Sequence, residues 1–340
     1  MQASPEWYYQ HVLGGLFGQA LGDAFAMPAY LTPQDTWDYY DGWLDRFYPA
    51  PVDHPNHAGL VAGQITDDTQ QAIALAEAIL EDGEVTVNGT ARALVNWYQQ
   101  INGEHSSYVG INTRQACRAI LKGADPYTTG TSGDTDGGAM RILPVGLINA
   151  GNIDLAVKDT VTACTPTHYT RVAISAAAAV ASAVAQALVP GASLEEILSA
   201  GTRGAGMGAA YGRTWLGASV SRRIDLALAI TQGNGGLFEK IMDLHDIVGS
   251  TLAASETIPS AFGVLALAEG DPVSAARFAA ALSGDADTVG AIACAIAGTW
   301  KGIEVFPEEV INTLEEVNPG INFRPVASRL TELLLKRLGA

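Results

Sequence analysis

The sequence predicts an all-α protein, and three observations carry that reading. Apolar residues recur at intervals of three and four along most of the chain, segment starts carry helix-capping residues, and alternating β-type runs are almost missing. At 340 residues, 48% of them hydrophobic, the chain can bury a large core. We read residues 1–340 as a single compact multi-helix domain, because no internal repeat and no low-complexity linker marks a boundary.

The first helix is predicted from Gln10 to Phe25, where Gly14, Gly18 and Gly22 recur every four residues and leave one face without side chains. Glycine inside a helix costs about 1 kcal/mol relative to alanine, so three on one face need a second helix packed closely against them. Asp23, at the end of this segment, reads either as a cap or as a group supporting a site. From Met27 to Gly63 the chain is rich in Pro, Trp, Tyr and Asp, with a short helix near Gln34 to Tyr40. A long ordered loop of this kind is often a lid or a site wall. His54 and His57 lie in it, loosely spaced for a zinc pair, and read as surface loop histidines before metal ligands.

A strong helix signal starts at Asp67, placed three residues before Gln70 in a capping pattern. Ala72, Leu75, Ala76 and Ile79 follow at helical spacing, and Gly83 ends the run. After a helix from Thr90 to Gln100 comes a loop-rich stretch reaching Thr128 to Arg141. There small residues open into a helix, and backbone N–H groups in such loops face a ligand's oxygens, although a plain connector fits equally. The run from Val172 to Val189 approaches membrane-spanning length, but it is mostly alanine with Ser175, Ser182 and Gln186 inside it. It therefore reads as a buried helix. Ser193 with Glu196 makes a capping box and Asp271 with Pro272 starts a helix. Pro307 starts another that Asn318-Pro319-Gly320 ends.

The formal charge of −17 argues against a nucleic acid or an anionic membrane as partner, since both attract Lys and Arg clusters. Cys117, Cys164 and Cys294 are an odd number at wide spacing and read as reduced thiols. The amino terminus shows no basic-then-apolar secretory pattern, so the expected location is cytoplasmic. The sequence leaves the oligomeric state open.

Two acidic stretches stand out: Thr66-Asp67-Asp68-Thr69, and Ser283-Gly284-Asp285-Ala286-Asp287-Thr288. Each runs into an apolar helix, and nothing beside the first supplies a positive charge. A simple N-cap needs one acceptor, not three. If the clusters meet, their carboxylates repel unless divalent ions join them. The donors are hard oxygens, which suits Mg²⁺, Mn²⁺ or Ca²⁺ and speaks against zinc or copper. The helix after Asp287, Val289 to Gly298, is small and apolar all round and should be deeply buried. Paired ions about 3.5 to 4 Å apart would activate a bridging water and orient substrate oxygens for hydrolysis. The alternative is a pair of helix caps that never meet.

The chain resembles the ADP-ribosylglycohydrolase family, which includes the dinitrogenase reductase-activating glycohydrolase. The matching elements occur in the family's order. They are Gly18-Gln19-Ala20-Leu21-Gly22-Asp23-Ala24, Thr66-Asp67-Asp68-Thr69, Gly133 to Pro144 with its Gly-Gly-Ala-Met-Arg core, Thr167-His168-Tyr169-Thr170, and Gly284-Asp285-Ala286-Asp287-Thr288. The resemblance implies an all-helical fold holding two divalent cations, Mg²⁺ or Mn²⁺, with Thr66, Asp67, Asp68, Asp285, Asp287 and Thr288 as ligands. It implies hydrolysis at the anomeric carbon of an ADP-ribosyl or related ribosyl compound, small or protein-linked, with Asp67, Asp68 and Asp287 as catalytic residues. It also implies a ribose and phosphate wall of Gly133, Asp134, Thr135, Gly137, Gly138, Met140 and His168. Two departures accompany it. The family's usual glutamate after the first Gly-Asp motif is Tyr30 here, with Asp35, Asp38 and Asp41 as possible replacements. Asp134 and Asp136 occupy the loop that would cradle a diphosphate, with no Lys or Arg before Arg141. Both point to a neutral ribosyl compound such as a nucleoside as an alternative substrate. A non-catalytic binding or structural family member is the third reading.

Overall fold

The computed structural model describes residues 3–339, and among them helices form every named element and no strand occurs. Helix α1 (Pro5–Ala26) starts earlier than the periodicity suggests, because Ser4 accepts the Trp7 N–H and Pro5 sits in the first turn. Helix α2 (Pro33–Tyr40) follows inside the long loop, and α3 (Asp67–Asp82) ends at Gly83 in the left-handed conformation. The cap of α3 is Thr66 rather than Asp67: the Thr66 side chain accepts the Asp68 N–H, which frees the Asp67 carboxylate. Helix α4 (Val87–Gln100) is capped by Thr86.

The stretch read as loop-rich contains an 11-residue helix, α5 (Ile111–Leu121), and two single turns, α6 (Pro126–Thr129) and α7 (Gly137–Met140). Its start was illegible because Gly110 occupies the cap position and makes no side-chain cap hydrogen bond. Next come α8 (Leu143–Leu147), α9 (Ile153–Cys164) and the alanine helix α10 (Arg171–Ala187), which Thr170 caps and which is buried along almost its whole length. No helix among the described residues is long and apolar enough to cross a membrane. Helix α11 (Leu194–Gly208) carries the complete Ser193–Glu196 capping box. The second half is completed by α12 (Val220–Gln232), α13 (Leu237–Asp243), a π-helical turn over Leu244–Val248, α14 (Ala254–Leu267), α15 (Pro272–Leu282), α16 (Ala286–Lys301), α17 (Glu308–Val317) and α18 (Phe323–Leu338).

The centre of the core is the antiparallel crossing of α1 and α16, and the spaced glycines explain it. A Cβ added at Gly14, Gly18 or Gly22 would lie 2.3, 2.1 or 1.9 Å from the backbone oxygens of Gly298, Cys294 and Gly290 respectively. From the other side, Gly290 and Gly298 face the carbonyls of Gly22 and Gly14. Backbone therefore packs on backbone over two turns. This seam places Asp23, one residue beyond Gly22, beside Asp287, three residues before Gly290.

Candidate active site

The two acidic stretches meet. Asp67, Asp68, Asp285, Asp287 and Thr288 line one pocket, together with Asp136, Thr135, Gly137 and Met140 from the small-residue loop. Its cavity of about 160 Å³ is small beside the roughly 300–1,000 Å³ of sites that enclose drug-sized ligands, with room for a group about the size of one sugar. A larger cleft of about 510 Å³ lies on the outer face of α3 and α4, lined by Glu77, Glu81, Arg92 and Trp97. We place the chemistry in the smaller cavity, because the convergent carboxylates are there and the larger cleft has only a surface ion pair between Arg92 and Glu81.

Each acidic side chain is held by the fold behind it. Asp23, fully buried at the end of α1, accepts the N–H groups of Thr66 and Thr69 at 3.0 and 3.1 Å and the Thr69 hydroxyl at 2.6 Å. It thus serves as a cap, supplied by another helix, and at the same time fixes the start of α3. Thr66 donates its hydroxyl to Asp68 Oδ2, and Asp67 Oδ2 accepts the Gln71 amide at 2.8 Å. Gln71 in turn accepts from the fully buried Arg141, whose other arm reaches Thr167. Gln19 ties the carbonyls of Asp68 and Met140 together, joining α1, α3 and α7. Asp285 is set by its N–H to Ser250 O at 2.7 Å, and Gly284 by its N–H to Tyr30 O. Asp136 accepts from Thr257 at 2.7 Å and lines the pocket beside Asp285.

This concentration of charge has a large electrostatic cost. Burial, followed by the neighbouring carboxylates, raises Asp67, Asp68 and Asp285 well above the ordinary carboxylate range. Burial likewise raises Asp23 and Asp136 to about 7. Asp68 Oδ1 and Asp285 Oδ2 are buried and have no hydrogen-bond partner. Two orphaned carboxylate oxygens in an all-oxygen donor set fit a hard divalent cation. The side chains face the pocket without closing on a common point: among the described residues no three His, Cys, Asp or Glu groups form a finished metal cage.

The remaining sequence-derived residues divide. Thr135, Gly137 and Met140 are on the pocket wall, whereas Gly133, Gly138 and His168 lie behind it. Gly133 packs on the Thr167 carbonyl, and Gly138 on His168 and Cys164. His168 is fully buried and bonded to Thr135 and Thr167, so it supports the wall instead of forming it. Asp134 turns outward, holding Asn112 and the indole N–H of Trp215. Thr66 is buried beneath Asp68 and outside the lining. Of the two loop carboxylates, Asp136 faces in.

The long loop gives the main correction. His54 and His57 are not surface residues: both are buried and their rings stack 4.8 Å apart. His57 lines the pocket, with Nε2 3.2 Å from Asp287 Oδ2. Spacing in the sequence could not reveal this, since the loop is fixed by distant carbonyls at Met27 and Ala29. Tyr30 is not among the residues that line the pocket and donates its hydroxyl to Asp53 at 2.8 Å. Asp35, Asp38 and Asp41 are exposed and none lines the pocket, so none stands in for the family's glutamate.

The all-helical fold and its acidic pocket define a class that the comparisons identify. Residues 4–339 match the profile described as ADP-ribosylglycohydrolase, and the chain belongs to that family of hydrolases acting on glycosidic ADP-ribose linkages. It is 31% identical over 330 residues to the uncharacterized protein YegU of Escherichia coli, covering 96% of this chain and 98% of that one. It is 28% identical over 212 residues to the ADP-ribosylarginine hydrolase Tri1 of Pseudomonas putida, 59% of this chain and 52% of the relative. It is also 28% identical over 156 residues to the ADP-ribosyl-[dinitrogen reductase] glycohydrolase of Rhodospirillum rubrum, 42% and 46% of the two chains. A solved structure titled an ADP-ribosylglycohydrolase-related protein complex superposes with a TM-score of 0.70 at 23% identity over 96% of this chain and 99% of the other, a likeness of fold.

Proposed function

We propose that the protein is a cation-dependent N-glycoside hydrolase that cleaves an ADP-ribosyl or related ribosyl linkage at the anomeric carbon. The observation that carries this is the convergence of five buried or half-buried carboxylates, two with orphaned oxygens, on a sugar-sized pocket. Thr66, Asp67, Asp68, Asp285, Asp287 and Thr288 would hold two ions, Mg²⁺ or Mn²⁺. When bound, such ions supply an activated water and a grip on the ribose hydroxyls.

The chain's own residues do the rest. Asp67, Asp68 and Asp287 carry the charge that the site needs. Gln71 and Asp23 fix the α3 carboxylates, and Thr135, Gly137 and Met140 form the wall against which the sugar seats. In the overall reaction one water adds across the C–N bond: its oxygen goes to the anomeric carbon and a proton to the leaving nitrogen. The test is Asp287→Ala, which should abolish cation-dependent hydrolysis of an ADP-ribosylated or ribosyl substrate. Full activity in that variant overturns the assignment.

A second reading is a nucleosidase preferring substrates without a diphosphate, and one observation favours it. No Lys or Arg lines the pocket, and Asp136 faces into it. Turnover of ADP-ribosyl-arginine against that of plain nucleosides separates the two, and a clear preference for the diphosphate compound sinks the second. Location in the cytoplasm belongs with this proposal.

A further inference from the structure

We propose that His57 supplies a nitrogen ligand, through Nε2, to the cation held by Asp287, and so shifts the site's preference away from Mg²⁺ toward Mn²⁺ and the later divalent metals. This rests on the cation site of the proposed function and adds a donor outside its oxygen set.

The geometry fixes which ring nitrogen is free. His57 Nδ1 lies 3.0 Å from the carbonyl oxygen of Met27, which can only accept, so Nδ1 carries the proton and donates it. In the neutral ring Nε2 is then a bare lone pair, and it faces Asp287 Oδ2 at 3.2 Å inside the pocket. Two acceptors at that distance repel unless a positive centre accompanies them. Either one proton lies between the two atoms and the contact is a plain hydrogen bond, or both atoms turn to one metal ion. Metal-bound histidines almost always donate their other ring N–H to a carbonyl, carboxylate or water, and His57 has that arrangement ready.

Two further observations favour the metal. The His57 ring is stacked on His54, whose Nε2 donates to Ala29 O and whose Nδ1 accepts the N–H groups of Asn56 and His57. Both His54 nitrogens are committed, so its ring is a rigid backing for His57 and not itself a donor to the site. Asp68 Oδ1, on a side chain 1% exposed that lines the same pocket, has no partner within the protein. A hydrogen bond from His57 to Asp287 leaves that oxygen unsatisfied, whereas a cation answers it. Imidazole suits the borderline metals, and affinity for mixed N and O sites rises from Mn²⁺ toward the later divalent ions, while Mg²⁺ prefers oxygen.

The test uses the full chain, stripped with chelator and titrated by calorimetry with Mg²⁺ and with Mn²⁺, as wild type and as His57→Gln. We expect wild type to favour Mn²⁺ and the variant to lose Mn²⁺ affinity by about 10- to 100-fold, the loss that even an outer partner of a metal ligand causes, with Mg²⁺ binding little changed. Equal losses for both ions show an electrostatic role and overturn the proposal, as does no loss at all. Pulsed electron paramagnetic resonance on Mn²⁺-loaded wild type grown with ¹⁵N-histidine gives a readout independent of any variant. A ¹⁵N coupling of directly bound strength is expected, and its absence overturns the proposal. If wild type binds neither ion, the cation site of the proposed function fails, and that result differs from a site that binds cations without a histidine signal.

Discussion

Replacing Gly22 by Ala inserts a methyl group into the tightest point of the α1–α16 seam. The new Cβ would lie 1.9 Å from Gly290 O and 2.1 Å from Gly290 C, against the 3.0 Å that real Cβ contacts respect. The helices must part by about 1.1 Å, the difference between 3.0 and 1.9 Å, since the obstructing atoms are backbone and cannot swing aside. Overpacking typically costs about 1–3 kcal/mol and here belongs at the upper end. The helix-propensity gain of about 1 kcal/mol opposes it, leaving a net loss of about 2 kcal/mol. Gly206 is the control: it is exposed on α11, and a methyl group there would meet nothing within 4 Å, so Gly206→Ala should gain about 0.5–1 kcal/mol. Urea midpoints of both variants, measured with chelator present, test the pair. Calorimetric Mn²⁺ titration should also weaken in Gly22→Ala, because the wedge separates Asp23 from Asp287. Equal stability of the two variants would refute backbone-on-backbone packing at this crossing.

Three other outcomes are expected. In chelator, Asp23 and Asp136, raised to about 7 from 3.8, bind protons more tightly folded than unfolded; their stabilisation is complete below pH 3.8 and lost as pH rises through 7. The melting temperature in chelator should therefore fall between pH 4 and 7 relative to that with saturating Mn²⁺, and parallel profiles would count against the buried cluster. Burial, then Arg141, pushes His168 well below its ordinary 6.5, so its contribution is complete above pH 6.5 and lost as pH falls toward the folded value. His168→Gln should flatten that acid limb by up to about 1.4 kcal/mol per pH unit, and superimposable limbs would exclude a buried neutral histidine. Arg141→Lys cannot hold Gln71 and Thr167 with one fork, and should cost about 1.5–3 kcal/mol for the charge-assisted hydrogen bond lost, read by urea denaturation; an unchanged midpoint would show that a point charge suffices.

Much of the scaffold was legible because it is written in local chemistry. The glycine spacing of α1 announced a close helix partner, the alanine-rich run placed α10, and capping residues placed α11 and α15, each to within a residue or two. What stayed illegible was set by distant groups. Helix α5 starts at a glycine that makes no side-chain cap, so no polar residue announced it. Asp134 and Asp136 are equivalent in sequence; Trp215 draws one outward, and Thr257 draws the other in. His57 looked like any loop histidine until the carbonyl of Met27 turned its ring toward Asp287.

The arrangement of charge explains why the fold is built this way. Six aspartates, Asp23, Asp67, Asp68, Asp136, Asp285 and Asp287, crowd around the end of one glycine seam. Among the described residues the one fully buried cation near them, Arg141, turns to Gln71, Thr167 and His168 and to no carboxylate. Hydrogen bonds from Thr66, Thr69, Gln71 and Thr257 relieve part of the repulsion, yet oxygens of Asp68 and Asp285 remain unanswered. A protein that only needed stable helix ends would not leave them so, since a buried unsatisfied carboxylate is costly. The backbone seam of α1 and α16 stiffens the site against that repulsion. The charge it holds open is matched by what the cations of the proposed reaction would bring.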